Sequence, residues 1–258
     1  MRVVIKVGTS TLAHKTGRIN IRRVEKLCKV LSDLKNEGNE IILVSSGAIG
    51  MGLGKLSISE RPKDIPTKQA AAAVGQCELM YTYDKLFSEY HHTVAQILVT
   101  GSDIDNEKHR KNIQNTLFRL LELGALPVIN ENDTVATEEI VIGDNDTLGA
   151  VTAKAINADL LVILSDIDGL YTKDPHKYED AMLISEVNEI TEEILSLGGG
   201  KGSSLGTGGM ATKLHAAEIC MESNVDMVIA SGVEPDILYD IFEGKAVGTR
   251  FVSGGNRN

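Results

Sequence analysis

Cysteine is scarce: the 258 residues hold only 3, Cys28, Cys77 and Cys220, too far apart to form a CxxC pair or a Cys/His cluster. A disulfide framework and a cysteine-based zinc site are thereby excluded, and a reducing compartment fits. No apolar run approaches the ~20 residues of a membrane-spanning helix. The opening Met1-Arg2-Val3-Val4-Ile5-Lys6 is too short for a secretory apolar segment and reads straight into a strand, so the expectation is a cytoplasmic protein with no membrane partner. Positive charge is also in short supply, with 26 Lys and Arg against 36 Asp and Glu and a formal net charge of −10. That is the opposite of the basic stripe nucleic acid needs, so no nucleic-acid partner is expected. A protein this acidic must gather its cations locally to handle anions, which gives weight to any lysine beside a glycine-rich loop.

Known catalytic signatures are missing as well. There is no GxxxxGK[ST] phosphate loop, no HExxH pair and no GxSxG elbow. The stretch Gly206, Gly208, Ala211 fits GxGxxA but lacks the preceding strand of a dinucleotide fingerprint. Pro/Ser linkers, charge blocks and repeats of 20 to 50 residues are absent too, which leaves one domain over residues 1–258.

What is present is an apolar content of 42% arranged in short runs that alternate with helical patterns, the rhythm of βαβ units. Strands are expected at Val3 to Val7, Glu40 to Ser45, Thr93 to Thr100, Leu126 to Ile129, Leu160 to Ser165 and Asp226 to Ala230. Ile21, Val24, Leu27, Leu31 and Leu34 recur at helical spacing before Gly38, and further helices are expected at Thr67 to Tyr90, Glu107 to Leu123, Thr147 to Ile156 and Met210 to Ser223. Runs such as Ile41-Ile42-Leu43-Val44 are apolar at consecutive positions, which suits strands buried on both sides. The fold class is α/β, a three-layer αβα sandwich with a largely parallel central sheet.

Strand ends carry the chemistry. Ile5-Lys6-Val7-Gly8-Thr9-Ser10 and Val44-Ser45-Ser46-Gly47-Ala48-Ile49-Gly50 place glycines and hydroxyls beyond buried strands, where backbone N–H groups can face anionic oxygens. Any βα turn can hold glycine, but Lys6 amid apolar neighbours needs an anionic partner to offset its burial. Asn130-Glu131-Asn132-Asp133 and Gly143-Asp144-Asn145-Asp146 can hold an ammonium group, orient lysines or bind magnesium, or serve only as turns. Ser165-Asp166 ends another buried strand, and Gly206 to Lys213 runs from a glycine loop into a helix whose first N–H groups, with Lys213, make a cationic pocket.

Taken in order, Lys6 to Ser10, Ser45 to Ile49, Val128 to Asp133, Gly143 to Asp146, Gly169-Leu170-Tyr171-Thr172 and Gly206 to Lys213 resemble the amino acid kinase family from Val3 to Phe251. The resemblance implies transfer of the γ-phosphoryl group of ATP to the γ-carboxylate of L-glutamate, the first step of proline biosynthesis. It implies catalytic roles for Lys6, Asp146 and Lys213, the aspartate positioning the two lysines. It places glutamate on Ser46, Gly47, Asn130, Asp133, Asp144 and Asn145. ATP falls on Lys6, Gly8, Ser165, Asp166, Thr207, Gly208, Gly209, Met210, Ala211, Thr212 and Lys213. Mg2+ travels with ATP instead of occupying a protein-only cage. It further implies a homo-oligomer and feedback by proline through a flexible lobe at Ser57 to Lys68. Many relatives carry a C-terminal PUA domain; a single amino acid kinase domain without one is expected here. Competing readings are a relative that phosphorylates N-acetylglutamate or UMP, and a sensing module that keeps the fold without turnover.

Overall fold

Strands that are apolar at every position need cover on both faces. The computed structural model, which describes residues 1–258 except 15, 17, 61, 136–144, 176, 200–208 and 255–258, supplies it with two helical layers. In chain order the elements are β1 (Arg2–Val7), α1 (Thr9–Leu12), α2 (Ile21–Asn36), β2 (Glu40–Ser45), α3 (Ala48–Lys55), α4 (Ile65–Ser88), β3 (Val94–Val99), α5 (Gly101–Asp105), α6 (Glu107–Glu122) and β4 (Leu126–Glu131). There follow α7 (Asn145–Ala155), β5 (Leu160–Ser165), β6 (Leu170–Tyr171), β7 (Leu183–Ile184), β8 (Glu186–Val187), α8 (Glu192–Leu197), α9 (Met210–Glu222), β9 (Asp226–Ser231), α10 (Ile237–Phe242) and β10 (Thr249–Phe251).

An eight-stranded sheet runs β3-β4-β2-β1-β5-β9-β10-β8, and its strands pair in parallel except β10 against β9. This is the expected three-layer αβα sandwich. Side chains alternate along each strand. Val3, Ile5 and Val7 pack with Leu27, Leu31, Leu79, Phe87 and Leu238 of α2, α4 and α10. Val4 faces the other way, into the layer of Leu117, Leu148, Ala153 and Ala216 from α6, α7 and α9. Burying each such aliphatic side chain stabilises the fold by about 1.5–3 kcal/mol.

One stretch differs from the sequence reading. Gly47 to Gly50 was expected as loop, yet Ala48–Lys55 is helical although it holds three glycines, poor helix formers by propensity. Packing overrides propensity here: a Cβ on Gly75 of α4 would lie 1.7 Å from the Ala48 carbonyl oxygen, and one on Gly52 would lie 1.8 Å from that of Ala71. The glycines let α3 and α4 touch backbone to backbone. Helix α4 starts at Ile65, two residues before the expected Thr67, and its cap Asp64 accepts the Thr67 N–H at 2.9 Å. Among the described residues no helix is long and apolar enough to cross a membrane.

The carboxyl ends of β1, β2, β4 and β5 lie along one edge of the sheet. Chain order reverses about β1, with β2 on one side and β5 on the other, which is where open α/β sheets bind ligands.

Candidate active site

Alternation along β1 turns Lys6 to the same face as Val4, toward α7 and α9. Helix α7 begins at Asn145 with Asp146 in its first turn, and α9 begins at Met210 with Thr212 and Lys213 close behind. The three charges meet there. Lys6 Nζ lies 2.6 Å from Asp146 Oδ1, and Lys213 Nζ lies 3.1 Å from Asp146 Oδ2. The Thr212 hydroxyl sits 2.9 Å from the same Oδ2 and 2.7 Å from the Gly209 carbonyl oxygen. Lys6, Asp146 and Lys213 are 6%, 0% and 3% exposed, so water contributes little to neutralising them. Burial pushes the Asp146 carboxyl upward, but the ammonium charges of Lys6 and Lys213 outweigh it and hold the group below its ordinary value. Two ammonium groups and one carboxylate sum to +1. An anion at this point offsets the excess, and a carboxylate gripping both lysines fixes where they point.

The opposite face of the sheet builds a different kind of site. Leu126, Val128 and Asn130 of β4 alternate toward α4, as do Ile41, Leu43 and Ser45 of β2. Asn130 Nδ2 donates to Gln76 Oε1 at 2.9 Å, and Ser45 Oγ lies 2.9 Å from the Tyr83 hydroxyl. Asn130 Oδ1 accepts the Glu131 N–H at 2.9 Å and Asn145 Nδ2 at 3.0 Å. Asn145 Nδ2 also lies 2.8 Å from Ser46 Oγ and 3.2 Å from the Ser45 carbonyl oxygen. With its amide nitrogen so committed, Asn145 presents Oδ1 as an acceptor. Gly47 caps α3 at φ 102°, a conformation glycine adopts without strain, and no side chain caps that helix. Burial raises the Asp133 carboxyl to about 6.

A cleft of ≈ 880 Å³ joins the two halves and is lined by Lys6, Gly8, Ser46, Gly47, Asn130, Asp133, Asn145, Ser165, Asp166 and Lys213 of the sequence-predicted set. Ser165 donates to Asp166 Oδ1 at 3.1 Å beside it. Gly209 is the N-cap of α9 and offers no side chain to its first N–H groups, while Met210, Ala211 and Thr212 follow without lining the cleft. Asp144, Thr207 and Gly208 lie outside the described residues. Among the described residues no cluster of three or more His, Cys, Asp or Glu is placed to hold a metal ion. A second concavity of ≈ 660 Å³ at the start of α6, lined by Asn106, Lys108 and Lys111, is an open surface hollow away from these groups.

Sequence reasoning missed Gln76 and Tyr83. The available signal was an amide directly after the small apolar run Ala70 to Gly75 and a tyrosine seven residues on, two turns along the same helical face. It also missed cleft residues such as Ala13, His14 and Thr16.

The chain is similar to known proteins over nearly its whole length. A glutamate 5-kinase of Listeria innocua is 55% identical over 98% of this chain and 93% of its own length. One of Clostridium perfringens is 51% identical over 98% of this chain and 95% of its own. Carbamate kinase from Giardia lamblia bound to AMP-PNP superposes with a TM-score of 0.69 at 20% identity, covering 98% of both chains, a likeness of fold alone. The family description "Amino acid kinase family" matches residues 1–231, which includes every group of the lysine cluster and the amide network, and the chain belongs to that family.

Proposed function

We propose that this chain transfers the γ-phosphoryl group of ATP to the γ-carboxylate of L-glutamate, giving γ-glutamyl phosphate and ADP, the first step of proline biosynthesis. The observation that carries the reading is the buried Lys6–Asp146–Lys213 cluster, whose 2.6 Å and 3.1 Å contacts hold two ammonium groups on one carboxylate at the ligand edge. Phosphoryl transfer needs in-line positioning and neutralisation of charge on the moving oxygens, which two fixed lysines supply. The acceptor is already ionised at neutral pH, so no general base is required. A γ-carboxylate oxygen bonds to the γ-phosphorus as the bond to the β,γ-bridging oxygen breaks, and the electron pair leaves with ADP.

In this assignment Lys6 and Lys213 are the catalytic cations and Asp146 is their positioning residue. Ser46, Gly47, Asn130, Asp133, Asp144 and Asn145 take glutamate, Asn145 Oδ1 and the Asp133 carboxylate suiting its ammonium group. Gly8, Ser165, Asp166 and Thr207 to Lys213 take ATP. Mg2+ carried on the ATP phosphates would supply added charge neutralisation.

Residues 1–258 are proposed to act as one amino acid kinase domain, cytoplasmic and homo-oligomeric. Proline is proposed as a feedback inhibitor, since Ile58, Ser59 and Glu60 line the same cleft. The test is ADP release with glutamate, N-acetylglutamate, aspartate and UMP, hydroxylamine trapping the acyl phosphate. Glutamate-dependent ADP with a trapped hydroxamate is expected; ADP release with UMP alone overturns the acceptor. Added proline is expected to slow the glutamate reaction, and an unchanged rate removes that part.

A further inference from the structure

Hydrogen-bond polarity in the acceptor half is determined by groups that cannot reverse. The Glu131 backbone N–H can only donate, so the Asn130 atom it meets at 2.9 Å is Oδ1. The other end of that amide is therefore Nδ2, a donor, and the Gln76 atom 2.9 Å away must be Oε1. At the far end the Ser45 carbonyl can only accept, so Asn145 turns Nδ2 toward it and toward Asn130 Oδ1. Each amide thus has one allowed orientation, and the chain of constraint ends on Gln76. Gln76 is 8% exposed, its Oε1 is committed to Asn130, and its Nε2 meets no acceptor among the described residues although it is shut away from solvent. A buried donor without an acceptor is a cost the fold bears. The neighbouring inward residues Ala72, Leu79 and Tyr83 of α4 belong to the core, and the polar group at Gln76 answers to Asn130.

We propose that Gln76 is a positioning residue for the acceptor: by accepting from Asn130 Nδ2 it locks Asn130 Oδ1 onto Asn145, and so aims Asn145 Oδ1 at the ammonium group of the substrate. Without that acceptor the Glu131 N–H still sets which end of the Asn130 amide is the oxygen, but the buried Nδ2 loses its partner and the amide shifts, loosening the bond from Asn145. The inference rests on the glutamate-kinase reading above, in which Asn145 meets the substrate.

Gln76→Met keeps volume and removes the acceptor; Gln76→Glu keeps an acceptor oxygen for Asn130 Nδ2 whether ionised or protonated. The expected result for Gln76→Met is a KM for glutamate raised about tenfold, the scale of one well-placed hydrogen bond, with the KM for ATP within about twofold. Gln76→Glu restores the glutamate KM to within about threefold of the native value. The double variant Gln76→Met with Asn145→Ala should bind glutamate no worse than Asn145→Ala alone, because both changes break one linkage. An unchanged glutamate KM in Gln76→Met, or strictly additive effects in the double variant, overturns the inference. Should Gln76→Met not fold, Gln76→Ala, which suits a helix, is judged by the same two criteria. The unaltered protein is assayed alongside, so absence of glutamate turnover there refutes the kinase reading and is distinguishable from failure of the role given to Gln76.

Discussion

The cleft is made of two halves built on opposite faces of one sheet, and they work by different physics. On the α7 and α9 face lie full charges, Lys6, Asp146 and Lys213, all nearly inaccessible. On the α4 face lie neutral amides and hydroxyls, Asn130, Gln76, Ser45 and Tyr83, tied by bonds of 2.9 Å. Charges act strongly and with little dependence on angle, which suits a phosphoryl group that changes shape during transfer. Amides act weakly but with definite donor and acceptor ends, which suits recognition of a fixed substrate. The halves join at two consecutive residues opening α7: Asn145 serves the amides and Asp146 serves the lysines. One helix start therefore sets the amide half and the lysine half in mutual register.

Breaking the charged half should cost most. Lys213→Ala leaves the Lys6–Asp146 pair balanced in charge, so kcat is expected to fall roughly 10²–10³-fold with little loss of folding stability. Asp146→Asn leaves two buried ammonium groups without their carboxylate and should lose both turnover and roughly 3–5 kcal/mol of stability. Steady-state kinetics with urea titration separates the two variants, and equal stability loss in both would dissolve the distinction.

A pH series sharpens the comparison at a middle scale. With the Asp133 carboxyl raised to about 6, its charged form is lost as pH falls through that value, and ammonium binding weakens with it. The apparent KM for glutamate should rise by about tenfold per pH unit well below 6, while Asp133→Asn flattens the profile. The effect on stability has the opposite sense. A carboxyl whose folded value is raised from 3.8 to about 6 binds its proton more tightly when folded, so its stabilising contribution is complete at low pH and lost as pH rises through about 6.

Tyr83→Phe gives the smallest expected change. It removes the hydroxyl that meets Ser45 Oγ at 2.9 Å, while Ser45 keeps a contact of 3.2 Å to the Ser46 carbonyl oxygen. A stability loss of about 1 kcal/mol with the KM for glutamate within about twofold is expected from denaturation and kinetics. A tenfold rise in that KM would place Tyr83 in the same functional linkage as Gln76.

Much of this was legible in the sequence because two periodicities carry it. Consecutive apolar residues in Leu160 to Ser165 declare a strand covered on both sides, and Val24, Leu27, Leu31 and Leu34 declare the stripe of α2. Lysines and glycines at strand ends mark a ligand edge, since neither is at ease beside a buried strand without a reason. What stayed hidden depended on contacts distant in sequence. The glycines of α3 argue against a helix until Gly75 and Ala71 of α4 are set against them. Gln76 and Asn130 are 54 positions apart, and only the meeting of α4 with β4 makes them partners.

By itself, then, the sequence determined the layered α/β architecture, the sheet edge that carries the cleft and the need for an anion beside Lys6, because burial pattern and charge are local properties of the chain. Only the tertiary structure decided that one carboxylate holds both lysines, that α3 is helical, and that the acceptor half is a polar network with a single allowed orientation. Hydrogen bonds and backbone contacts across layers are set by distances of a few ångströms between segments far apart in the chain, and no local pattern encodes them.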